Sequence, residues 1–394
     1  MLKKINHVLG MQISYFRILL AFTAISIFTT SCKDNTVDVP DTQIPPPKVV
    51  VPPSISSITS TCFLGSTVVI SGDNFSTTVE DNNVKFGTIK ATVTNATKTS
   101  LTVTTPDLGS ATSANVTVTT YDKVSNSKSI AVDADQNKIV TYAWTSHTVK
   151  PGLTYKTGEL TLFGADLRRI FILDVTLNES NTLGIGFTTT DVNTVTMCNS
   201  YSATAGVNAG YFPYMGSSNK DPYIRINSVA VQNGHTGVSP LFTNSALLIN
   251  NNVATVRKFS ESGNNLNPVA AAIPIAQAQN IIVCGPMLIT SGVLETLNMS
   301  EGHNSSLTGR TGLGVTSDGK RIFMVVADTG GSVKGITTPQ LAKILQALGS
   351  VNAMNLDGGG SSTMFVKNQG DNGRVNFPTG GTWQRPVRSV IYVK

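Results

Sequence analysis

Short runs of alternating apolar and polar residues fill the chain between residues 54 and 134. Gly, Asn and Asp separate these runs, and that pattern is typical of strands joined by tight turns. Six strands are predicted there: Thr67–Ile70, Asn83–Phe86, Lys90–Val93, Ser100–Thr104, Asn115–Thr119 and Lys128–Val132. Short strands at regular intervals predict a separate all-β sandwich over residues 54–134.

The apolar runs become longer after residue 145, and polar loops separate them. The clearest predicted strands are Leu160–Phe163, Arg169–Val175, Thr182–Phe187, Ala246–Ile249 and Arg321–Asp328. Ile289–Leu294 predicts a hairpin and Thr188–Thr194 a turn or loop. Residues 145–394 are therefore predicted to form an α+β domain with mixed sheets, rich in strands and with few helices.

One helix is well marked at Thr337–Gly349. Thr337 or Thr338 can cap its N-terminus, Pro339 suits its first turn, and Gly349 suits the position after its end. The apolar residues that share one face at the helical period are Leu341, Ile344, Leu345 and Leu348. Residues Ser350–Leu356 follow as a predicted strand.

The N-terminus has the pattern of a secretion signal. Basic residues precede the apolar run Ile18–Phe28, which is too short to span a membrane, and small residues lead into Cys32. This ending resembles a bacterial lipobox, although Thr29 stands where Leu is usual. We predict a lipoprotein signal peptide over 1–31, a lipid on Cys32, and a lipid-anchored location in the bacterial cell envelope, at the outer membrane and either periplasmic or surface-exposed. An ordinary signal peptide with an incidental cysteine is the alternative.

The composition bears on three points: the linker, the class of binding partner and the cysteines. Residues 32–53 are polar and proline-rich and predict an extended linker. Three of the six net positive charges belong to the leader, and no cluster of Lys and Arg with interleaved aromatics follows, so a nucleic-acid partner is not expected. Cys62, Cys198 and Cys284 lack metal-ligand spacing, and we interpret them as mostly buried small hydrophobic residues.

The candidate chemistry centres on the stretch Asn355–Thr363, where Asp357 precedes three consecutive glycines. A run of glycines costs backbone entropy, so it suggests an unusual turn or close approach of a ligand. Successive N–H groups in such a turn can hold an anion. The alternative is a glycine-rich loop in which Asp357 only caps its own turn.

Other polar residues lie at the ends of predicted strands. Asp328 ends one strand as Asp357 ends another, and sites gather at such ends in open α/β sheets. Arg310 carries a planar fork that grips phosphate, although it could instead pair with Asp328 or Asp357. Arg385 could be a second phosphate contact or a salt bridge at the rim.

The stretch Asn208–Phe212 is a further candidate. Asn208 could bind sugar hydroxyls, Gly210 would let the backbone come close, and the two aromatics could stack on a sugar ring. The alternative is a buried asparagine beside a core aromatic pair. His303 lies in a predicted polar loop, where a solvated histidine is the more common case.

Taken in order, these motifs resemble the phosphodiester glycosidase family over roughly residues 150–394. The resemblance is carried by Asn208–Phe212, Gly285–Leu288, Arg310–Gly314, Asp328, Gly335–Ile336, Asn355–Thr363 and Arg385–Val387. Thr308–Gly309 departs from the family, which usually has a basic or proline-containing approach to its arginine. Leu64–Phe75, Val84–Gly87 and Pro106 resemble the immunoglobulin-like IPT/TIG module, for which we favour a spacer or docking role.

The resemblance implies an envelope-anchored hydrolase that cleaves a sugar-1-phosphodiester such as an N-acetylglucosamine-1-phosphodiester. It makes Asp357 the base or nucleophile and Asp328 the orienter or second acid, with Arg310 stabilising charge. The implied substrate-binding residues are Asn208, Gly210, Asn355, Gly358, Gly359, Gly360, Ser361 and Arg385. No cofactor is predicted, and a divalent cation held by aspartates stays open. A surface glycan-binding or adhesion lipoprotein without turnover is the alternative function.

Overall fold

A computed structural model describes residues 50–213, 222–233, 243–258 and 278–394. The predicted signal peptide and Cys32 lie outside the described residues, as does the part of the predicted linker before residue 50. The described part is rich in strands and poor in helix, with an immunoglobulin-like sandwich followed by an α+β domain, which confirms the predicted fold class. None of the helices in these ranges has the length and apolarity needed to cross a bilayer.

The N-terminal sandwich consists of two facing sheets. Its strands are β1 (Ser54–Ile58), β2 (Thr61–Cys62), β3 (Thr67–Asp73), β4 (Asn82–Phe86), β5 (Ile89–Lys90), β6 (Thr92–Ala96), β7 (Ser100–Thr104), β8 (Ser113–Thr120), β9 (Lys123–Val124) and β10 (Lys128–Val132). One sheet has the order β1-β3-β7-β6 and the other β2-β10-β8-β4-β5. Alternate residues of both sheets are buried between them, as the period-2 pattern predicts.

One predicted strand of the sandwich, Lys90–Val93, is wrong. The chain changes sheets there, so that β5 ends at Lys90 and β6 begins at Thr92 in the opposite sheet. Ala91 lies buried at the crossing and donates its N–H to the carbonyl of Val84 at 2.9 Å. Alternation of side chains continues across the bend, which is why the sequence pattern concealed it.

The α-helices of the described ranges are α1 (Ala134–Thr141), α2 (Thr194–Ser200), α3 (Gly302–Ser305) and α4 (Thr338–Ala347). The remaining strands are β11 (Thr145–Lys150), β12 (Leu153–Thr161), β13 (Leu167–Thr176), β14 (Leu183–Val192), β15 (Ala205–Asn208), β16 (Tyr223–Ile226), β17 (Val229–Asn233), β18 (Ser245–Asn250), β19 (Val253–Lys258), β20 (Asn280–Cys284), β21 (Met287–Thr290), β22 (Val293–Leu294), β23 (Arg310–Val315), β24 (Arg321–Ala327), β25 (Asn352–Asn355), β26 (Met364–Val366) and β27 (Val387–Val393). The hairpin predicted at Ile289–Leu294 is confirmed. The loop predicted at Thr188–Thr194 is wrong, because β14 continues through it to Val192.

The described residues of the C-terminal domain form three sheets. Their strand orders are β11-β12-β13-β24-β23-β25-β21-β22, β14-β27-β15-β26 and β17-β16-β20-β18-β19. The largest sheet buries apolar side chains on both faces, with one core cluster shared with the other sheets and another covered by α4. Strand β23 runs antiparallel to both of its neighbours, so the starting end of β23 lies at the same edge as the final ends of β24 and β25. This arrangement positions the candidate site.

Helix α4 begins where the sequence predicts. Thr337 accepts the N–H of Gln340 on its hydroxyl at 3.3 Å, and the Gln340 side chain accepts the N–H of Thr337 at 2.9 Å. Gly349 follows the helix with a φ of +99°, a conformation that glycine adopts without strain. This reciprocal capping satisfies two donors that the first turn would otherwise leave without partners.

Replacing Thr337 by alanine is expected to lower the free energy of unfolding by about 1 kcal/mol, the usual cost of losing a capping hydroxyl. Urea unfolding followed by circular dichroism would measure this loss. Thr337→Ser keeps the acceptor and serves as the matched control. Equal stability of the alanine and serine variants would show that the cap contributes nothing.

Candidate active site

The ends of three neighbouring strands bring the predicted charged residues to one edge of the largest sheet. Arg310 is the first residue of β23 and pairs with Ala327, the last residue of β24, so that Asp328 follows directly. Strand β25 ends at Asn355, opposite Gly312 of β23, and Asp357 comes two residues later. The register of the strands therefore places Asp328, Arg310 and Asp357 along the same edge.

Asp357 is half-buried, and three hydrogen bonds hold it in place. Its N–H donates to the Ala209 carbonyl at 2.8 Å, and its own carbonyl accepts the Asn208 amide at 2.7 Å. Its Oδ1 accepts the N–H of Gly358 at 3.0 Å. These bonds fix the carboxylate relative to β15 and the glycine turn.

Burial raises the pKa of Asp357 to about 6, against opposing effects of the Ser361 hydroxyl, the Arg385 charge, the Gly358 amide and the Arg310 charge. A carboxyl group with a pKa in this range exchanges its proton near neutral pH, which suits a general acid or base.

Arg385 and Ser361 lie beside this carboxyl group. Ser361 is fully buried, donates to Asp357 and accepts Nη1 of Arg385 at 3.4 Å. Gly360 lies against the guanidinium, since a β-carbon there would come within 3.1 Å of Nη2 and 3.2 Å of Nε of Arg385. The absence of a side chain at Gly360 is therefore what allows the cation to approach the turn.

Arg310 is buried, with only 2% of its surface exposed, and its fork is directed at backbone carbonyls. Nε donates to Ile336 at 3.2 Å, and Nη2 donates to His303 at 2.6 Å and to Ser306 at 3.0 Å. Burial lowers the pKa of Arg310, and the nearby Tyr211 and Asp357 oppose that effect. Arg310 thus anchors the segment before β23 and contributes positive charge to the site.

A polar cluster adjoins the carboxyl group on the side of β15. The Tyr211 hydroxyl donates to the Gly285 carbonyl at 2.5 Å, accepts the Asn355 amide at 3.1 Å and lies 3.0 Å from Nε2 of His303. Burial and the Arg310 charge lower the pKa of His303 to about 4, so its imidazole is neutral at neutral pH. Because the single hydroxyl proton of Tyr211 goes to Gly285, we infer that Nε2 of His303 carries the hydrogen and donates to Tyr211.

Asn208 and Asp328 are enclosed by protein. Asn208 is fully buried, and its Oδ1 accepts the Thr311 hydroxyl at 2.7 Å and the Thr363 N–H at 3.1 Å. Asp328 is 1% exposed, with Oδ1 accepting Asn376 at 2.7 Å and Oδ2 accepting the N–H of Phe377 at 3.1 Å. Burial raises the pKa of Asp328. Both side chains therefore position the surrounding chain.

Family models match two parts of this sequence. Residues 201–394 match the phosphodiester glycosidase family, and residues 53–133 match the IPT/TIG domain.

Residues 201–394 are a phosphodiester glycosidase domain. Strands β11–β14 precede the match and pair with its strands β24 and β27, so they complete the sheets of this domain. The sandwich of β1–β10 is the IPT/TIG domain.

Solved structures give weaker likenesses. The catalytic domain of zebrafish N-acetylglucosamine-1-phosphodiester alpha-N-acetylglucosaminidase, auto-inhibited by its pro-peptide, is 18% identical, with 63% of this chain and 85% of that chain covered and a TM-score of 0.48. A hypothetical protein from Synechocystis is 14% identical, with 87% of this chain and 80% of that chain covered and a TM-score of 0.46. No curated protein sequence matches this chain at a significant level.

The glycine turn of the glycosidase domain differs from the expected anion nest. The N–H of Gly358 donates to Asp357, and the N–H of Gly359 donates to the Gly309 carbonyl at 2.7 Å. For Gly358 and Gly359 the amide N–H groups therefore follow the other interpretation of this turn, in which they bond within the protein. The turn instead contains Asp357 and Ser361, and the Arg385 guanidinium packs against its Gly360.

The Asn208–Phe212 stretch also follows the simpler of its two interpretations. Gly210 donates its N–H to Ser389 at 2.9 Å, and a β-carbon on it would come within 2.9 Å of Pro222. Tyr211 and Phe212 are buried in core clusters, so stacking of this pair on a sugar ring is wrong. In the described residues, Cys62, Cys198 and Cys284 are buried and free, as expected of small hydrophobic residues.

The sequence did not predict that His303 lies beside Tyr211 and Asn355. The interpretation of His303 as a solvated loop histidine is wrong. The predicted loop contains α3, which turns the imidazole towards Tyr211 and Asn355. Within the described ranges, no group of three or more His, Cys, Asp or Glu side chains is placed to hold a metal ion. The assignment of substrate-binding residues stays a prediction.

Proposed function

We propose that the phosphodiester glycosidase domain hydrolyses a sugar-1-phosphodiester, of which an N-acetylglucosamine-1-phosphodiester is the simplest example. The observation that carries this proposal is the carboxyl group of Asp357. Burial raises its pKa to about 6, although two nearby guanidinium groups act to lower that pKa. A carboxylate beside fixed positive charge suits attack on a sugar that carries a phosphate.

Arg385 is the group that best suits the phosphate of this substrate. It lies against Gly360 and is half-buried, and a guanidinium binds phosphate oxygens through two parallel hydrogen bonds. Arg310 adds positive charge from a buried position, while its Nε and Nη2 remain hydrogen-bonded to backbone carbonyls. Preorganised charge of this kind stabilises the negative charge that develops on a departing phosphate.

Asp357 would activate water or attack the anomeric carbon itself. A phosphate leaves as a weakly basic anion, so its departure requires little help from a proton donor. This matters here because Asp328 uses both of its oxygens within the protein. In this proposal Asp328 orients the segment that contains Asn376 and Phe377, and Asp357 is the reacting carboxylate.

One observation favours glycan binding without turnover as the second candidate. Glycosidases typically use two carboxyl groups, and the second predicted one, Asp328, is enclosed. A synthetic N-acetylglucosamine-1-phosphodiester separates the two candidates. Release of the free sugar by the wild-type protein supports hydrolysis, whereas saturable binding in calorimetry with no sugar released supports the binding protein.

Replacing Ser361 by alanine is expected to move the acidic limb of the profile of kcat/KM against pH towards higher pH. Asp357 acts as a base or nucleophile only when ionised, so activity should rise as the pH passes about 6. The Ser361 hydroxyl lowers the pKa of Asp357 by stabilising its ionised form, and its removal raises that pKa further. Ser332→Ala, in an exposed loop, is the control. A limb that stays in place or moves to lower pH contradicts the assigned contact.

We propose that Cys32 carries a lipid that holds the protein at a bacterial membrane, with residues 32–53 as the spacer. The support is the order of basic residues, apolar run and cysteine in the sequence. Mass spectrometry of the N-terminal peptide from membranes tests it: a Cys32→Ser protein should lose both the lipid mass and the membrane association.

A further inference from the structure

Helix α1 is bound firmly to the IPT/TIG domain at its beginning. Asp133 ends the sandwich, donates its N–H to the Cys62 carbonyl at 2.8 Å and caps α1 through its side chain. The side chain of Asn137 accepts the N–H of Leu64 at 2.7 Å. These bonds attach the beginning of the helix to the sandwich.

The other face of α1 lies on helix α4 of the glycosidase domain. Gln136, 2% exposed, donates to the Lys343 carbonyl at 3.1 Å and to the Gln346 side chain at 2.7 Å. Lys343 forms an ion pair with Asp133 at 2.6 Å. Ile139 is 1% exposed and belongs to the same core cluster as the buried face of α4, which consists of Leu341, Ala342, Ile344 and Leu345.

Helix α4 connects this contact to the candidate active site. At its beginning, the Thr338 hydroxyl donates to the carbonyl of His303 at 3.1 Å. Ile336 lies two residues before Thr338, and its carbonyl accepts a hydrogen bond from Nε of Arg310. The same helix thus binds α1 near its end and the residues around Arg310 at its start.

We propose that α1 joins the IPT/TIG domain and the glycosidase domain into a single cooperative folding unit, with helix α4 as its binding partner. We infer this from the apolar part of the contact, where Ile139 lies in the core of the partner helix, and from Gln136, whose buried side chain is hydrogen-bonded to that helix. An apolar contact between domains opposes the relative motion that is otherwise expected of them. This inference goes beyond the proposed function and does not depend on it.

Native-state hydrogen exchange of the whole chain tests the proposal without any substrate. In the wild type, the slowest amides of β7 in the sandwich and of β24 in the glycosidase domain should open with the same free energy and the same denaturant dependence. Ile139→Ala leaves a cavity between the helices and should accelerate exchange in both strands at least about tenfold. Val140→Ala, on the same helix but 39% exposed, is the matched control and should change neither strand more than about twofold.

Two results would overturn the proposal. One is a wild type in which β7 exchanges through an opening of different free energy from that of β24. The other is an Ile139→Ala protein in which only one strand is accelerated. If Ile139→Ala does not fold, Gln136→Ala supplies the same comparison, because it removes the two bonds to α4 and leaves the isoleucine in place.

Discussion

Asp357→Asn is expected to lower the turnover of a sugar-1-phosphodiester at least about 100-fold. A positioned acid or base typically contributes that much or more, and asparagine can neither attack the anomeric carbon readily nor take a proton from water. Asparagine has nearly the same shape, and its side-chain oxygen can still accept the N–H of Gly358. The fold should therefore survive, and the loss should appear in kcat.

The measurement is release of N-acetylglucosamine from its synthetic phosphodiester by purified wild-type and variant proteins. Asp318→Asn is a suitable control, because Asp318 lies in the exposed turn before β24 and bonds only within that turn. Turnover of Asp357→Asn within a few-fold of the wild type would remove Asp357 from the catalytic role. Equal loss in both variants would indicate damage unrelated to the site.

Arg385→Ala is expected to lower kcat/KM about 100-fold, the usual scale for removing a fixed donor that stabilises developing negative charge. The loss should appear mainly in kcat, because such a donor acts on charge that develops in the transition state. Its Nη1 bond to Ser361 is long at 3.4 Å, which makes it a weak hydrogen bond. Thermal unfolding of the variant, measured beside its kinetics, separates a loss of fold from a loss of phosphate binding.

Arg388→Ala is the matched control for this experiment. Arg388 lies three residues further along, at the beginning of β27, and its Nε forms an ion pair with Asp191 at 2.8 Å. Removing it deletes the same charge without altering the turn at Gly360. A similar loss of kcat/KM in both variants would show that Arg385 acts only through net charge, and an unchanged kcat/KM for Arg385→Ala would exclude it from binding the phosphate.

The sequence predicted the elements that local chemistry determines. Thr337, Pro339 and Gly349 mark the ends of α4, because capping and backbone freedom are local properties. The alternation of side chains indicated the sandwich for the same reason. The placing of Asp328 and Asp357 at strand ends also followed from the apolar runs before them.

What the sequence could not predict depends on partners far along the chain. The fork of Arg310 could have faced a phosphate or a carboxylate, and only the fold shows that Ile336, His303 and Ser306 bind it. The amide of Gly359 is similarly used by Gly309. Long-range hydrogen bonds of this kind leave no periodic signal in a sequence.

The half-buried position of Asp357 has a consequence for thermodynamic linkage between protons and folding. Its pKa is higher in the native chain than in the denatured one, so the native state retains a proton over the interval between the two values. The stability that this proton supplies is complete below the denatured-state pKa and is lost as the pH rises through about 6. The ionised form that the proposed reaction requires is thus the form that opposes folding. Ionisation of Asp357 lowers the free energy of unfolding at the same pH at which it produces the reactive carboxylate.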